Sequence, residues 1–243
     1  MRQNMRAFYR LVGERSPGGT VVQSEGLLAA VVPSCPRQSV VNGVVYEHAD
    51  EVRASHGKLA ATYAAASVLA WRVWVPETDR GLAGWLEQAG HKLAGRPRAM
   101  TLELGRARLD VDHELDWQRA NDAESLSSVN EQAYGLPAGE FAAVTEALAP
   151  GASFYFARDR GQIAACLAAI DRDGDCGIYC VATKPASRKQ GLASALLRRA
   201  LLDARARGCS TSSLQSSPLG FSVYERLGYR DRGAIEVWER RTP

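Results

Sequence analysis

Apolar and polar positions alternate most legibly in the second half of the chain. Leu115–Arg119 reads as a short strand, and Asp122–Tyr134 has helical periodicity behind Asn121 or Asp122 as an N-cap. Phe141–Leu148 adds one or two helical turns, closed by Pro150-Gly151. Phe154–Arg158 and Gln162–Ile170 are strand-like runs split by Asp159-Arg160-Gly161, which predicts a hairpin. Asp171–Asp175 is a second turn, and Cys176–Thr183 the third strand of the meander. A helix opens after Pro185 and runs through Arg207 to a stop at Gly208. Its Leu192, Ala195, Leu196, Ala200, Leu201 and Ala204 recur at helical spacing, a stripe wide enough to pack on a sheet. Ser210–Gln215 then reads as strand, Leu219–Leu227 as helix ended by Gly228, and Ala234–Arg240 as a last strand.

In the first half, Gly26–Val32 and Ser39–His48 read as strands and Glu51–Ser67 as an alanine-rich helix. Trp71–Val75 is a strand, Asp79–Ala89 a helix capped by Asp79 and stopped by Gly90, and Met100–Leu104 a strand. The order strand, helix, glycine stop, strand over 71–104 echoes 210–240, which suggests an internal duplication. The polar segment Gly105–His113 is the linker candidate, giving domains 1–108 and 109–243. The expected fold class is α/β (α+β), with a mixed, mostly antiparallel sheet flanked by helices.

Composition narrows the function classes. Hydrophobic residues are 46% and charged residues 23%, the balance of a water-soluble globular protein. No apolar run approaches a membrane span, and Met1–Ser16 lacks the apolar core of a secretory signal, so a cytoplasmic protein is expected. The net charge of +3 is uneven: residues 1–110 carry 14 basic and 10 acidic side chains, the rest 16 and 17. Arginine outnumbers lysine 26 to 4 without forming a stripe interleaved with aromatics, so no nucleic-acid partner is expected. Five cysteines have no CxxC spacing; Cys176 and Cys180, four apart in a strand, are expected to share a face as buried thiols. No metal is expected.

The chemistry concentrates in Cys180–Ala193. A strand enters a turn limited by Pro185, then a basic loop with Gly191, then a helix. Unpaired amides at a helix N-terminus attract anions, glycine lets a phosphate approach, and Arg188 and Lys189 add positive charge. From Lys184 to Arg207 there are seven basic residues and one acid, Asp203. This pattern suits a polyanion. Walker A and dinucleotide-binding glycine spacings are both missing.

Three stretches together resemble the GNAT superfamily of acyl-CoA N-acyltransferases: Val181-Ala182-Thr183-Lys184-Pro185, Arg188-Lys189-Gln190-Gly191-Leu192-Ala193, and Tyr224-Glu225-Arg226-Leu227-Gly228-Tyr229. The resemblance spans most of residues 115–240 and implies a GNAT-like fold, repeated in tandem. It implies that the strand through Val181 and Thr183 offers backbone groups to the pantetheine arm of acetyl-CoA. The amides of Gln190, Gly191, Leu192, Ala193 and Ser194, with Arg188 and Lys189, would hold its diphosphate. Tyr224 matches the tyrosine that approaches the thioester sulfur. The family often has Asn seven residues before that tyrosine and Ala four before; here they are Ser217 and Gly220.

The implied reaction is direct acetyl transfer to an amine of a small molecule, peptide or protein. A backbone N–H near Val181 stabilises the oxyanion, and Tyr224 protonates the leaving thiolate. Glu131, Glu140 and Asp175 are candidate general bases among which spacing does not choose, and Cys180 receives no role. The first half lacks the basic loop. It is expected to be a diverged copy that walls the acceptor pocket, so that residues 110–243 alone keep CoA binding. The alternative reading is a non-catalytic acyl-CoA sensor; oligomeric state is left open.

Overall fold

The computed structural model describes residues 1–107, 109–110 and 115–242. Part of the linker expected at Gly105–His113, namely 108 and 111–113, therefore lies outside the described residues. The first half runs α1 (Arg2–Arg15), β1 (Thr20–Gln23), β2 (Leu27–Val31), β3 (Gly43–Tyr46), α2 (Ala49–Ala65), β4 (Ala70–Pro76), α3 (Arg80–Gln88), β5 (Lys92–Gly95) and β6 (Arg98–Glu103). The second runs β7 (Trp117–Arg119), α4 (Ala123–Tyr134), α5 (Ala142–Leu148), β8 (Ser153–Asp159), β9 (Gln162–Arg172), β10 (Asp175–Thr183), α6 (Leu192–Ala206), β11 (Thr211–Ser216), α7 (Phe221–Arg226) and β12 (Arg230–Arg241). No described helix is long and apolar enough to cross a membrane.

Local chemistry sets many of these boundaries. The Asp122 carboxylate accepts from the Ser125 amide at 2.9 Å, and Asp79 accepts from Leu82 at 3.1 Å, each satisfying a free first-turn donor. Arg160 and Gly161 take positive φ in the tight turn between β8 and β9. α1, absent from the sequence-based reading, presents Met5, Phe8 and Val12 to the core on one helical face. The short strands β1 and β5 were likewise not expected. The strand expected over Ser39–His48 contracts to β3, because the Asn42 side chain bonds Val32 N, Cys35 O and Gln38 O and folds the preceding residues into a braced loop.

All twelve strands join one sheet, in the order β1-β2-β3-β4-β12-β6-β11-β10-β9-β8-β7, with β5 also pairing to β12. All described pairs are antiparallel except β3–β4 and β10–β11, the two that a helix must cross over to make. The halves trade strands at the centre. β6 from the first half pairs with β11 along its whole length, and β12 from the second pairs with β4 from Ile235 to Arg241. A cut at 108/109 therefore takes β6 from β11 and leaves it paired only to β10, over three residues. The fragment 110–243, expected to keep CoA binding alone, would lack Met100, Leu102 and Leu104, which pack in the same cluster as α6.

Three apolar clusters fill the two sides of the sheet. One is shared: α1 residues Met5, Phe8 and Val12 join Leu126 and Val129 of α4 and Val144 and Leu148 of α5. On the opposite side, α6 packs Leu196, Leu197, Ala200 and Leu201 on the second half, while Leu59, Tyr63, Leu82 and Leu86 cover the first. Within that last cluster, His91 Nδ1 lies 3.2 Å from the Trp238 carbonyl, and the Nε2 atoms of His56 and His91 are 3.1 Å apart. A carbonyl can only accept, so neutral His91 donates from Nδ1 and its Nε2 accepts from His56. This relay ties α2 to the exchanged strand β12.

Candidate acyl-CoA site

β10 and β11 pair only from Asp175–Thr211 to Gly177–Ser213, and then part. A β-bulge between Tyr179 and Ala182 turns the β10 edge, with Cys180 at φ 52°. The extra residue reverses the expected alternation. Cys176 packs in the α6-side cluster and Cys180 against the α1-side cluster, so the two do not share a face. The opened gap exposes polar main chain between two strands of one sheet, a place where an extended ligand can add its own hydrogen bonds.

At the open end of β10 the expected helix does not begin directly after Pro185. A single 3-10 turn spans Pro185–Ser187, and α6 starts at Leu192. Lys189 at φ 64° and Gly191 at φ 81° interrupt any right-handed helix and turn successive amides inward, as in an anion-binding nest. Among the described residues, no protein acceptor takes the amides of Lys189 to Ser194. A Cβ built on Gly191 would meet nothing within 4 Å, so the cradle is open to solvent. The first turn of α6 holds no acid and Gly191 supplies no side-chain cap. Donors, dipole and space therefore fit a diphosphate group.

The flanking side chains mostly hold the loop. Arg188 donates to Ala133 O at 2.8 Å and to Thr183 O at 3.3 Å, bridging the end of α4 to the end of β10. The Asp159 carboxylate accepts from Ser187 Oγ at 2.8 Å and from Gln190 Nε2 at 3.3 Å. Lys189 is exposed, and Leu192, Ala193 and Ser194 are half-buried at the start of α6. Val181 and Thr183 sit on the parting edge of β10, both half-buried.

Tyr224 sits on α7, just beyond β11, and packs in the α6-side cluster. It is 8% exposed and packs edge-on against Tyr229 with ring centroids 5.8 Å apart. Burial, and secondarily the nearby Tyr134, hold its phenol well above the ordinary value, so it stays protonated. A Cβ on Gly220 would come 2.8 Å from Tyr224 Cε2, so glycine there leaves room for this ring position. Ser217 is exposed; its Oγ lies 3.3 Å from Gly220 N and its carbonyl accepts from Gly220 and Phe221, capping the turn into α7.

Sequence reasoning missed Tyr134. The residue is 64% exposed, its hydroxyl donates to Val181 O at 3.0 Å, and its phenol is pushed up to about 12 by burial and, secondarily, by Cys180 and Cys166. Two phenols held neutral by burial thus lie near one another, Tyr134 bonded to β10 and Tyr224 on the helix that follows β11. The only signal in the sequence was its place at the end of α4. Of the carboxylates proposed as bases, Glu131 is buried and accepts from Ser127 Oγ, Gly139 N and Phe141 N, and although burial opposes ionisation these bonds lower its pKa. Asp175 accepts from Thr211 Oγ1, Ser213 Oγ and Asn4 Nδ2 at the closed end of the gap. Glu140 accepts from Gln38 Nε2 at 2.9 Å. The Cys180 thiol is pushed up to about 12 by burial, which removes it as a nucleophile near neutral pH.

The family description "Acetyltransferase (GNAT) domain" matches residues 150–231. No curated protein sequence gives a significant match. Among solved structures, a GCN5-related N-acetyltransferase from Kribbella flavida is similar over 98% of this chain and 95% of its own, at 17% identity and a TM-score of 0.69. A GCN5-related N-acetyltransferase from Sphaerobacter thermophilus is similar over 90% and 81%, at 15% identity and 0.63. A tandem GNAT protein from the clavulanic acid biosynthesis pathway covers 92% and 82%, at 15% identity and 0.59. Residues 150–231 thus match the acetyltransferase (GNAT) domain family, and the mixed α/β fold of the whole chain is similar to that of these solved GNAT structures.

Proposed function

We propose that this protein transfers an acetyl group from acetyl-CoA directly to an amine. The observation that carries the reading is the open row of amides from Lys189 to Ser194, set at a helix N-terminus beside a parted strand pair. In this reading the amides of Gln190–Ser194 bind the diphosphate, with Lys189 adding charge and Arg188 fixing the loop between β10 and α4. Val181 and Thr183 receive the pantetheine arm, for which Tyr134 releases the Val181 carbonyl. Ser217 shapes the turn that delivers Tyr224.

The acceptor nitrogen attacks the thioester carbonyl carbon, a main-chain donor at the β10 bulge stabilises the oxyanion, and the C–S bond breaks. Tyr224 gives its proton to the departing sulfur. Its raised pKa keeps that proton in place across the working range but weakens its drive toward the thiolate. The first half is read as a diverged GNAT-like copy, residues 1–108, that walls the acceptor side without a diphosphate loop of its own.

Titration calorimetry with acetyl-CoA tests the site. Gly191→Asp puts a carboxylate into the amide cradle and is expected to weaken binding at least about 100-fold, combining like-charge repulsion with lost close approach. Equal heats in wild type and variant would falsify the cradle. A non-catalytic sensor requires that Tyr224→Phe alter no rate with any acceptor.

A further inference from the structure

Resting on the thioester site proposed above, we infer that the acceptor is a weakly basic, apolar amine of the arylamine class. It reaches the gap as the free base and lies between the Tyr134 ring and Leu219.

Two sets of observations point to this class. The first is the rim. Among the described residues, Leu219 at 91% and Tyr134 at 64% are the most exposed large apolar side chains. Each is tied to one of the two strands that part: Tyr134, at the end of α4, donates to Val181 O of β10, and Leu219 lies on the loop leaving β11 toward α7. An exposed ring and an exposed leucine beside one gap offer a flat apolar ligand a stacking face and a contact on its far side.

The second is the state of the carboxylates. A cationic polyamine or sugar amine needs a free carboxylate to replace its water and take its extra proton. Glu131 is sealed by three donors, Asp175 by three, and Glu140 is held by Gln38. Among the described residues, Tyr134, Tyr224 and the Cys180 thiol are all held protonated by burial and are poor bases.

The proton count agrees. A neutral amine forms the C–N bond, the C–S bond breaks, and sulfur takes the Tyr224 proton. The new amide nitrogen then sheds one proton, which restores Tyr224 through solvent. The cycle closes with one phenol. An ammonium brings one proton more, which neither the two phenols nor the Cys180 thiol can take.

The test measures initial rates for the full chain with acetyl-CoA and three probes: 4-methylaniline, benzylamine and putrescine. 4-Methylaniline is expected to have the highest kcat/KM at neutral pH and to vary less than about twofold from about pH 6.5 to 8.5. Benzylamine should gain about tenfold per pH unit as its free base appears, with putrescine slowest. Leu219→Ser is expected to raise KM for 4-methylaniline at least about fivefold and leave the Kd for CoA unchanged. Tyr134→Ser should act in the same direction on KM.

Fast, pH-independent acetylation of putrescine overturns the inference, because it requires an internal base. So does an unchanged KM in Leu219→Ser. If CoA binds with normal heat but none of the three amines is acetylated, the acceptor class falls and the thioester site stands. If CoA gives no heat at all, the site reading itself has failed.

Discussion

Two strand-to-helix junctions in this protein begin from the same supersecondary unit and end in opposite electrostatics. In each, a strand leads into a helix that crosses over to a parallel neighbour: β3 through α2 to β4, and β10 through α6 to β11. Between β10 and α6 the chain spends residues 184–191 on a loop with two left-handed residues and no first-turn acid. Between β3 and α2 it spends only Glu47 and His48, and the first turn of α2 carries Asp50 and Glu51. Those carboxylates face the positive end of the helix dipole, and Glu51 is further held by Ser24 Oγ at 2.7 Å. One junction solicits an anion; the other already has its own. On the proposed reading, the crossover unit by itself does not create a diphosphate site. The loop length and the sign of the first turn do.

The comparison can be broken most severely by separating the halves. Residues 110–243 expressed alone are expected to aggregate and to show no CoA heat, because β11 loses β6 and exposes an unpaired edge. A monomeric fragment by gel filtration, with the Kd of the full chain, would mean that the exchanged strand is dispensable.

Tyr224→Phe tests the second junction next. It is expected to lower kcat about 10²- to 10³-fold while CoA affinity moves less than about twofold. Since burial raises this phenol above its ordinary value, kcat in the wild type should show no alkaline fall below about pH 10. A limb near neutrality that Tyr224→Phe removes would contradict that assignment.

The first junction is probed through the histidine relay beneath α2. His91 is held down to about 4 by burial, and burial also lowers His56, whereas an unfolded chain protonates near 6.5. The unfolded state therefore binds more protons as pH falls from about 6.5 to 4, and stability contributed above that window is lost across it, about 3 kcal/mol for His91. Urea unfolding at neutral and acid pH should show this loss in the wild type and a flatter acid limb in His91→Phe. The smallest effect is expected from Asp50→Asn with Glu51→Gln. That variant should lose about 0.3–1 kcal/mol per charge at α2 and still bind one CoA per chain. A second binding event would show that acids alone had closed the first junction.

Much of this was written locally in the sequence. The caps Asp79 and Asp122, the turn at Arg160-Gly161, the stripe of α6 and the basic loop around Gly191 each depend on spacing within one or two turns. Periodicity, caps and glycines report such features because their causes lie within a few residues. They determined the element order of the second half, the mixed sheet and the candidate diphosphate loop. Tertiary structure alone decided the rest. The trade of β6 and β12, the bulge at Cys180, the arrival of the Tyr134 hydroxyl at Val181, and the sealing of Glu131 and Asp175 all join residues far apart in the chain. Strand pairing depends on which edges meet after folding, and a carboxylate's availability on which donors arrive beside it. Neither leaves a periodic trace along the chain.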